Sequence, residues 1–255
     1  TALTDCMIAT GRSKESVFPQ LQVSREYPRR GPVLEAKAEW LVRAGESSAA
    51  EPLLSESLHH ASPGPERLRL GERLAGLQKQ RGAHALSAAT LSGLLGDVSE
   101  PEARSALRRK IAMLHVQAGQ PLVAIEVLRQ ILSELPTDLP TLEQLHGVAL
   151  ACGDVQTARS CLDLLVSHST ETVRARWLYQ RATLHESHGA LSDALSDAEA
   201  ALASSQDPEL LRSLLLLGVK LSDGGLIRQT TTALQARRAP LLAASAQAGC
   251  SVSRR

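Results

Sequence analysis

Seven glycines divide the chain at nearly even intervals. Gly11, Gly45, Gly82, Gly119, Gly153, Gly189 and Gly225 stand 34, 37, 37, 34, 36 and 36 residues apart. Each follows one apolar stripe of helical spacing and precedes another. That places it in a turn between two helices, where glycine takes a left-handed backbone at no steric cost. Five residues later comes a small side chain: Ala50, Ser87, Ala124, Ala158, Ala194 and Thr230. Four further on stands Leu54, Leu91, Leu128, Leu162, Ala198 or Leu234. The small residue lets two helices approach closely, and the residue one turn on extends the contact. Pro28, Pro63, Pro101, Pro136 and Pro208 mark where units close, because proline stops a helix. A period of this length means an array whose units bury their apolar faces only against one another.

The helix before each glycine carries its own stripe, as in Leu34, Ala38 and Leu41, or Leu142, Leu145 and Ala149. Leu214-x2-Leu217-Gly218-x2-Leu221 has the form W-x2-L-G-x2-Y with leucines in the aromatic slots. Ala124-x3-Leu128, followed by Pro136, fits the A-x3-F and P that complete the pattern. On these residues the chain resembles the tetratricopeptide repeat family, from about Gly11 to Pro240. The resemblance implies an all-α, right-handed α-solenoid of about six to seven antiparallel helix pairs. A Sel1-like or MalT-like array of similar period is the alternative. Residues 1–30 read as a partial N-terminal repeat, 31–240 as the array, and 241–255 as a short capping helix and tail. Individual units are degenerate. Lys37, Arg108 and Arg181 occupy slots expected to be apolar, and Pro19 and Pro52 fall inside second helices that they should delay or kink.

Composition narrows the function classes. Hydrophobic residues are 43% and charged residues 22%, an ordinary globular balance. Ala and Leu dominate, which favours helix. Aromatics are only 2%, too few for a base-stacking surface, and the formal charge of +1 gives no bulk attraction to a polyanion, so nucleic acid is not an expected partner. No run of 18 apolar residues occurs, so no membrane insertion is expected. The start, TALTDCMIATGR, lacks a basic segment followed by an apolar run, and a cytoplasmic location is expected, or a periplasmic one if a leader has been removed. Cys6, Cys152, Cys161 and Cys250 are too scattered for a disulfide framework or a common zinc spacing.

Nothing in the sequence assembles a catalytic constellation. There is no phosphate-cradling glycine loop and no Gly-x-Ser-x-Gly elbow. His185-Glu186-Ser187-His188 is one residue short of HExxH, which leaves the imidazoles at i and i+3 with no evident third ligand. His115, His146 and His185 are expected to pack in the core. The expectation is therefore a non-enzymatic chain with no cofactor and no metal.

By the resemblance, the first helix of each pair lines a concave, peptide-binding face. Residues 64–110 hold nine basic and five acidic residues, whereas residues 182–227 hold two basic and seven acidic. The basic side chains that fall on the stripe free of core packing are Arg69, Arg73, Lys79, Arg109 and Lys110, a candidate site for an acidic peptide segment. The sequence has no Asn, so the Lys/Asn/Arg carboxylate clamp of chaperone-binding members is not met. The expected function is a protein- or peptide-binding scaffold. The alternatives are a regulatory or substrate-delivering arm of a larger enzyme or transcription factor, and a scaffold of a bacterial envelope secretion machine.

Overall fold

In a computed structural model the structure describes residues 30–205 and 207–236, and these contain α-helix, one 3-10 turn and no strand. Residues 1–29 of the expected partial repeat and the expected capping helix over 241–255, with Gly11 and Pro19, lie outside the described residues. Two compact units divide between Glu134 and Leu135. The first contains α1 (Arg30–Arg43), α2 (Ser47–His60), α3 (Pro65–Gln80), α4 (His84–Ser92), a 3-10 turn (Leu95–Asp97), α5 (Pro101–Gln117) and α6 (Pro121–Glu134). The second contains α7 (Leu139–Ala151), α8 (Val155–His168), α9 (Glu171–Ser187), α10 (Leu191–Ser204), α11 (Pro208–Lys220) and α12, helical over 224–236. Within each unit consecutive helices pack together, so that α2 sits against both α1 and α3, and α10 against both α9 and α11. The architecture is an all-α helical-repeat solenoid.

The glycine ladder does the work expected of it at five rungs. Gly45, Gly82, Gly119, Gly153 and Gly189 have φ between 74° and 82°. At each, the glycine N–H donates to the carbonyl three residues back and the next N–H donates to the carbonyl five residues back. Thus Gly153 N bonds Leu150 O at 3.1 Å and Asp154 N bonds Ala149 O at 2.9 Å. This pairing satisfies the orphan carbonyls at the end of the first helix and reverses the chain in three residues.

The sixth rung is displaced. The turn residue there is Ser222, with φ 55°, whose N–H bonds Val219 O while Asp223 N bonds Gly218 O. Gly225 instead lies in the first turn of α12. The structural register of α11 is accordingly three residues from the one its sequence motif suggests. Leu211, not Leu214, stands eleven residues before the turn, where Leu34, Leu142 and Leu178 stand in their repeats. Gly218 takes the slot of Leu41 and Ala149, where an added Cβ would lie 3.3 Å from Leu226 and Ile227.

The small residues after each turn are buried as the pattern requires. Ala50, Ser87, Ala124, Ala158 and Ala194 are each at most 1% exposed; Thr230 is buried too, but stands eight residues past the displaced turn at Ser222. Two expectations about proline change. Pro101 and Pro208 open α5 and α11 rather than closing the preceding unit, because the first turn of a helix has no use for the missing N–H. Pro52 does not delay α2, which begins five residues before it.

One repeat is rebuilt around a missing side chain. Gly71 occupies the slot eleven before its turn, and an added Cβ would lie 2.4 Å from Leu94 Cδ1. Leu94, 1% exposed, reaches this slot because α4 stops at Ser92 and the chain folds back through the 3-10 turn. Arg108 and Arg181, polar intrusions in slots expected to be apolar, are neutralised by carboxylates. Arg108 bonds Glu134 at 2.7 Å. Arg181 grips Asp197 of α10 bidentately at 2.7 and 2.8 Å and Asp163 of α8 at 2.8 Å. Those hydrogen bonds, Asp197 first, hold the Arg181 guanidinium above its ordinary pKa.

The turn geometry makes an opposed pair of expectations. Gly153→Ala should destabilise the protein by about 1–2 kcal/mol through φ alone, because the new methyl meets nothing within 4 Å. Ser222→Gly should stabilise it by roughly 0.5–1 kcal/mol, the left-handed penalty less the entropy of glycine. Urea unfolding of both variants checks the signs.

Candidate functional site

On α3 the buried residues Leu70, Leu74, Leu77 and Gln78 take one arc of the helix, and Arg69, Arg73 and Lys79 lie on the arc opposite. On α5 the buried arc of Ser105, Leu107, Ile111 and Ala112 likewise leaves Arg109 and Lys110 on the far side. All five candidate residues therefore stand outside the core packing, with Arg69, Lys79 and Lys110 exposed and Arg73 and Arg109 half-buried.

Three of these cations already have carboxylate partners, each on the first helix of the preceding repeat. Arg69 holds both oxygens of Glu35 on α1, one at 2.8 Å and the other closer, and Arg73 Nη1 reaches the same carboxylate at 2.8 Å. Lys110 Nζ lies 3.2 Å from Glu72 on α3. The Arg69 hydrogen bond is the main cause that holds the Glu35 carboxyl below its ordinary value of 4.5, and it raises the pKa of Arg69 in return. Lys79 has no ion-pair partner among the described residues. Along Arg69, Arg73 and Lys110 acid and base thus alternate from one repeat to the next, rather than forming a wholly basic wall. The sequence pattern paired neither Glu35 nor Glu72 with these cations, yet each sits 34 to 38 residues before the cation it meets, about one repeat period.

The second unit carries a cleft of about 560 Å³ between the first helices α7 and α9. Its lining includes Glu143, His146, Gly147 and Leu150 from α7, with Trp177, Gln180, Thr183, Leu184 and Ser187 from α9. The His146 and Trp177 rings meet edge to face, 6.4 Å between centroids. His146 Nδ1 is 3.2 Å from the Ala158 carbonyl, which can only accept, so that nitrogen carries the proton. Gly147 lies in the middle of α7, and nothing stands within 4 Å of where its Cβ would be. Unlike Gly71, it answers no packing demand.

The paired histidines have separate surroundings. His185 is held between helices, its Nε2 3.8 Å from Asp197. His188 caps the end of α9, with Nδ1 2.8 Å from the Leu184 carbonyl. His115, expected in the core, is instead half-buried and bonds Gln120 at the helix turn. Among the described residues no group of three His, Cys, Asp or Glu side chains is placed to hold a metal ion. No described helix is long and apolar enough to cross a membrane.

No protein-family model matches the chain, and no curated protein does. Solved structures do match it. The C-terminal part of a TPR repeat-containing protein from Cytophaga hutchinsonii aligns at 14% identity over 80% of this chain and 78% of that one, with a TM-score of 0.56. A tetratricopeptide repeat protein from Parabacteroides merdae aligns at 15% identity over 79% and 77%, with a TM-score of 0.53. MamA from Desulfovibrio magneticus aligns at 15% identity over 69% and 97%, with a TM-score of 0.51. The fold is that of the tetratricopeptide repeat. In tetratricopeptide-repeat terms, both the alternating strip and the cleft lie on first helices, and the second helices supply the small buried residues behind them.

Two measurements bear on these sites. Glu35 has a depressed pKa in the folded state, so its contribution to stability is present above about pH 4.5 and is lost as pH falls through the lower folded value. Glu35→Gln should therefore flatten the acid side of the stability profile, which acid titration of the urea midpoint reads. Gly147→Ala should stabilise α7 by roughly 0.5–1 kcal/mol, as alanine replaces a helical glycine whose Cβ position is open; thermal melting checks it.

Proposed function

We propose that the chain is a non-catalytic scaffold that binds a protein or peptide along its first helices, and that the strip formed by Arg69, Arg73, Lys79, Arg109 and Lys110 receives carboxylates of an acidic segment. The observation that carries this reading is the double guanidinium grip on Glu35, in which Arg69 binds both oxygens and Arg73 one. Two arginines that hold an internal carboxylate in this geometry are oriented for a ligand carboxylate that takes its place. Planar guanidinium forks suit such recognition, and paired side chains on packed helices lose little freedom when a ligand arrives.

The mechanism is exchange rather than simple attraction. A ligand carboxylate enters between Arg69 and Arg73, Glu35 turns to water, and Lys79 adds a cation that has no partner to surrender. Exposed charges are screened beyond roughly 8 Å at physiological ionic strength, so affinity should fall as salt rises. The test uses a fluorescent hexaglutamate peptide and its hexalysine counterpart. The hexaglutamate peptide should bind and the hexalysine peptide should not. Arg73→Glu with Arg109→Glu should weaken binding at least tenfold while the helical circular dichroism stays unchanged. Equal binding of the two peptides, or binding untouched by the double reversal, counts against the strip.

A further inference from the structure

We propose that the cleft between α7 and α9 is a subsite for a basic side chain, lysine or arginine, of a bound peptide. The inference rests on the reading of the chain as a peptide-binding scaffold and names the chemistry of a second, separate position on it.

The walls are apolar where a long aliphatic stem would lie. Leu150 is 49% exposed although large and hydrophobic, and Leu184 and the Trp177 indole face it across the cleft. Gly147 contributes an open floor: a Cβ there would meet nothing, so the missing side chain leaves room instead of permitting a close helix contact. The hydroxyls and the imidazole N–H of the lining are already committed as donors, which leaves the neutral Gln180 amide free. Thr183 Oγ1 donates to the Gln180 carbonyl at 2.7 Å, Ser187 Oγ donates to the Leu184 carbonyl at 2.9 Å, and His146 Nδ1 faces the Ala158 carbonyl. The charge in the lining is negative. Glu143 is the one carboxylate in the lining, and no cationic side chain lines the cleft with it. It is exposed and has no ion-pair partner among the described residues.

Such a cleft discriminates by charge. An acidic side chain would meet Glu143 with no cation to offset the repulsion. An apolar one would fill the volume while drawing water away from an unpaired carboxylate, which is costly. A lysine or arginine lays its methylenes on Leu150 and Leu184, carries its charge toward Glu143, and gains attraction from the indole ring.

The experiment uses the full chain, labelled with 15N, and follows the indole N–H signal of Trp177, assigned with Trp177→Phe. The probes are N-acetyl-arginine amide, N-acetyl-leucine amide and N-acetyl-glutamate amide. The arginine probe should shift the Trp177 signal saturably and bind at least fivefold more tightly than either other probe. Glu143→Gln should remove that advantage. Gly147→Leu should abolish the shift while the Trp40 signal holds and the melting temperature does not fall. A leucine probe that binds as well as arginine, an arginine response untouched by Glu143→Gln, or no saturable shift at all overturns the proposal. If the arginine probe fails while hexaglutamate still binds the strip, the cleft assignment falls and the scaffold reading stands. Saturable arginine binding with no hexaglutamate binding supports the cleft and removes the strip alone.

Discussion

The first helix of each repeat must reverse direction within three residues without leaving its last carbonyls unpaired, and everything else in the array depends on how that is done. A left-handed residue two positions past the helix lets two successive N–H groups fold back onto the helix end. The following helix then starts at a fixed rotation, and the residue five positions after the turn points straight at the helix just left. Ala50, Ala124, Ala158 and Ala194 are buried for that reason. Where glycine is absent, at Ser222, the same two hydrogen bonds form on a residue that tolerates the conformation poorly. The hydrogen-bond demand thus outranks the residue preference.

Core slots tolerate charge when a neighbouring helix supplies the counter-charge. Arg181 stands where Leu145 and Leu214 stand in other repeats, and its guanidinium binds aspartates on the helices both before and after it. The arrangement replaces non-directional packing by a fork with fixed geometry, so it holds α8, α9 and α10 in register as well as in contact. Removing Asp197 from such a site would leave a half-buried cation short of its bidentate partner, with Asp163 alone to offset it.

Period and polarity were legible in the sequence because they are local. Turn glycines, the small residues after them and the apolar stripes before them can be read from spacing, and five of the six described turns fall where spacing puts them. The last fails because Gly225 is glycine for no turn-related reason, while Ser222 has no distinguishing mark. Leu94 filling the space over Gly71 was not legible either, since it depends on α4 ending early. The five candidate cations were placed outside the core by pattern alone. Their carboxylate partners were missed because the stripe was read one helix at a time, whereas the pairing runs from one repeat to the next. The α7–α9 cleft depends on the absence of a side chain at Gly147 and on the edge-to-face seat of Trp177 against His146, and neither is a periodic property.

The two candidate sites differ in what a ligand must overcome. At Arg69 and Arg73 the incoming carboxylate replaces one that is already bound, so the Coulombic gain is largely cancelled by the loss of Glu35. Net binding there must come from what Glu35 lacks: the reach to engage Lys79 as well, and additional contacts along the helix. Charge complementarity of that kind sets register and selectivity more than affinity. At Glu143 no internal partner has to be displaced, and the apolar walls contribute independently of salt. A peptide that used both kinds of site would therefore show a salt-sensitive component from the strip and a salt-resistant one from the cleft. The division of a ligand's affinity between them follows from which of the protein's own charges are already spoken for.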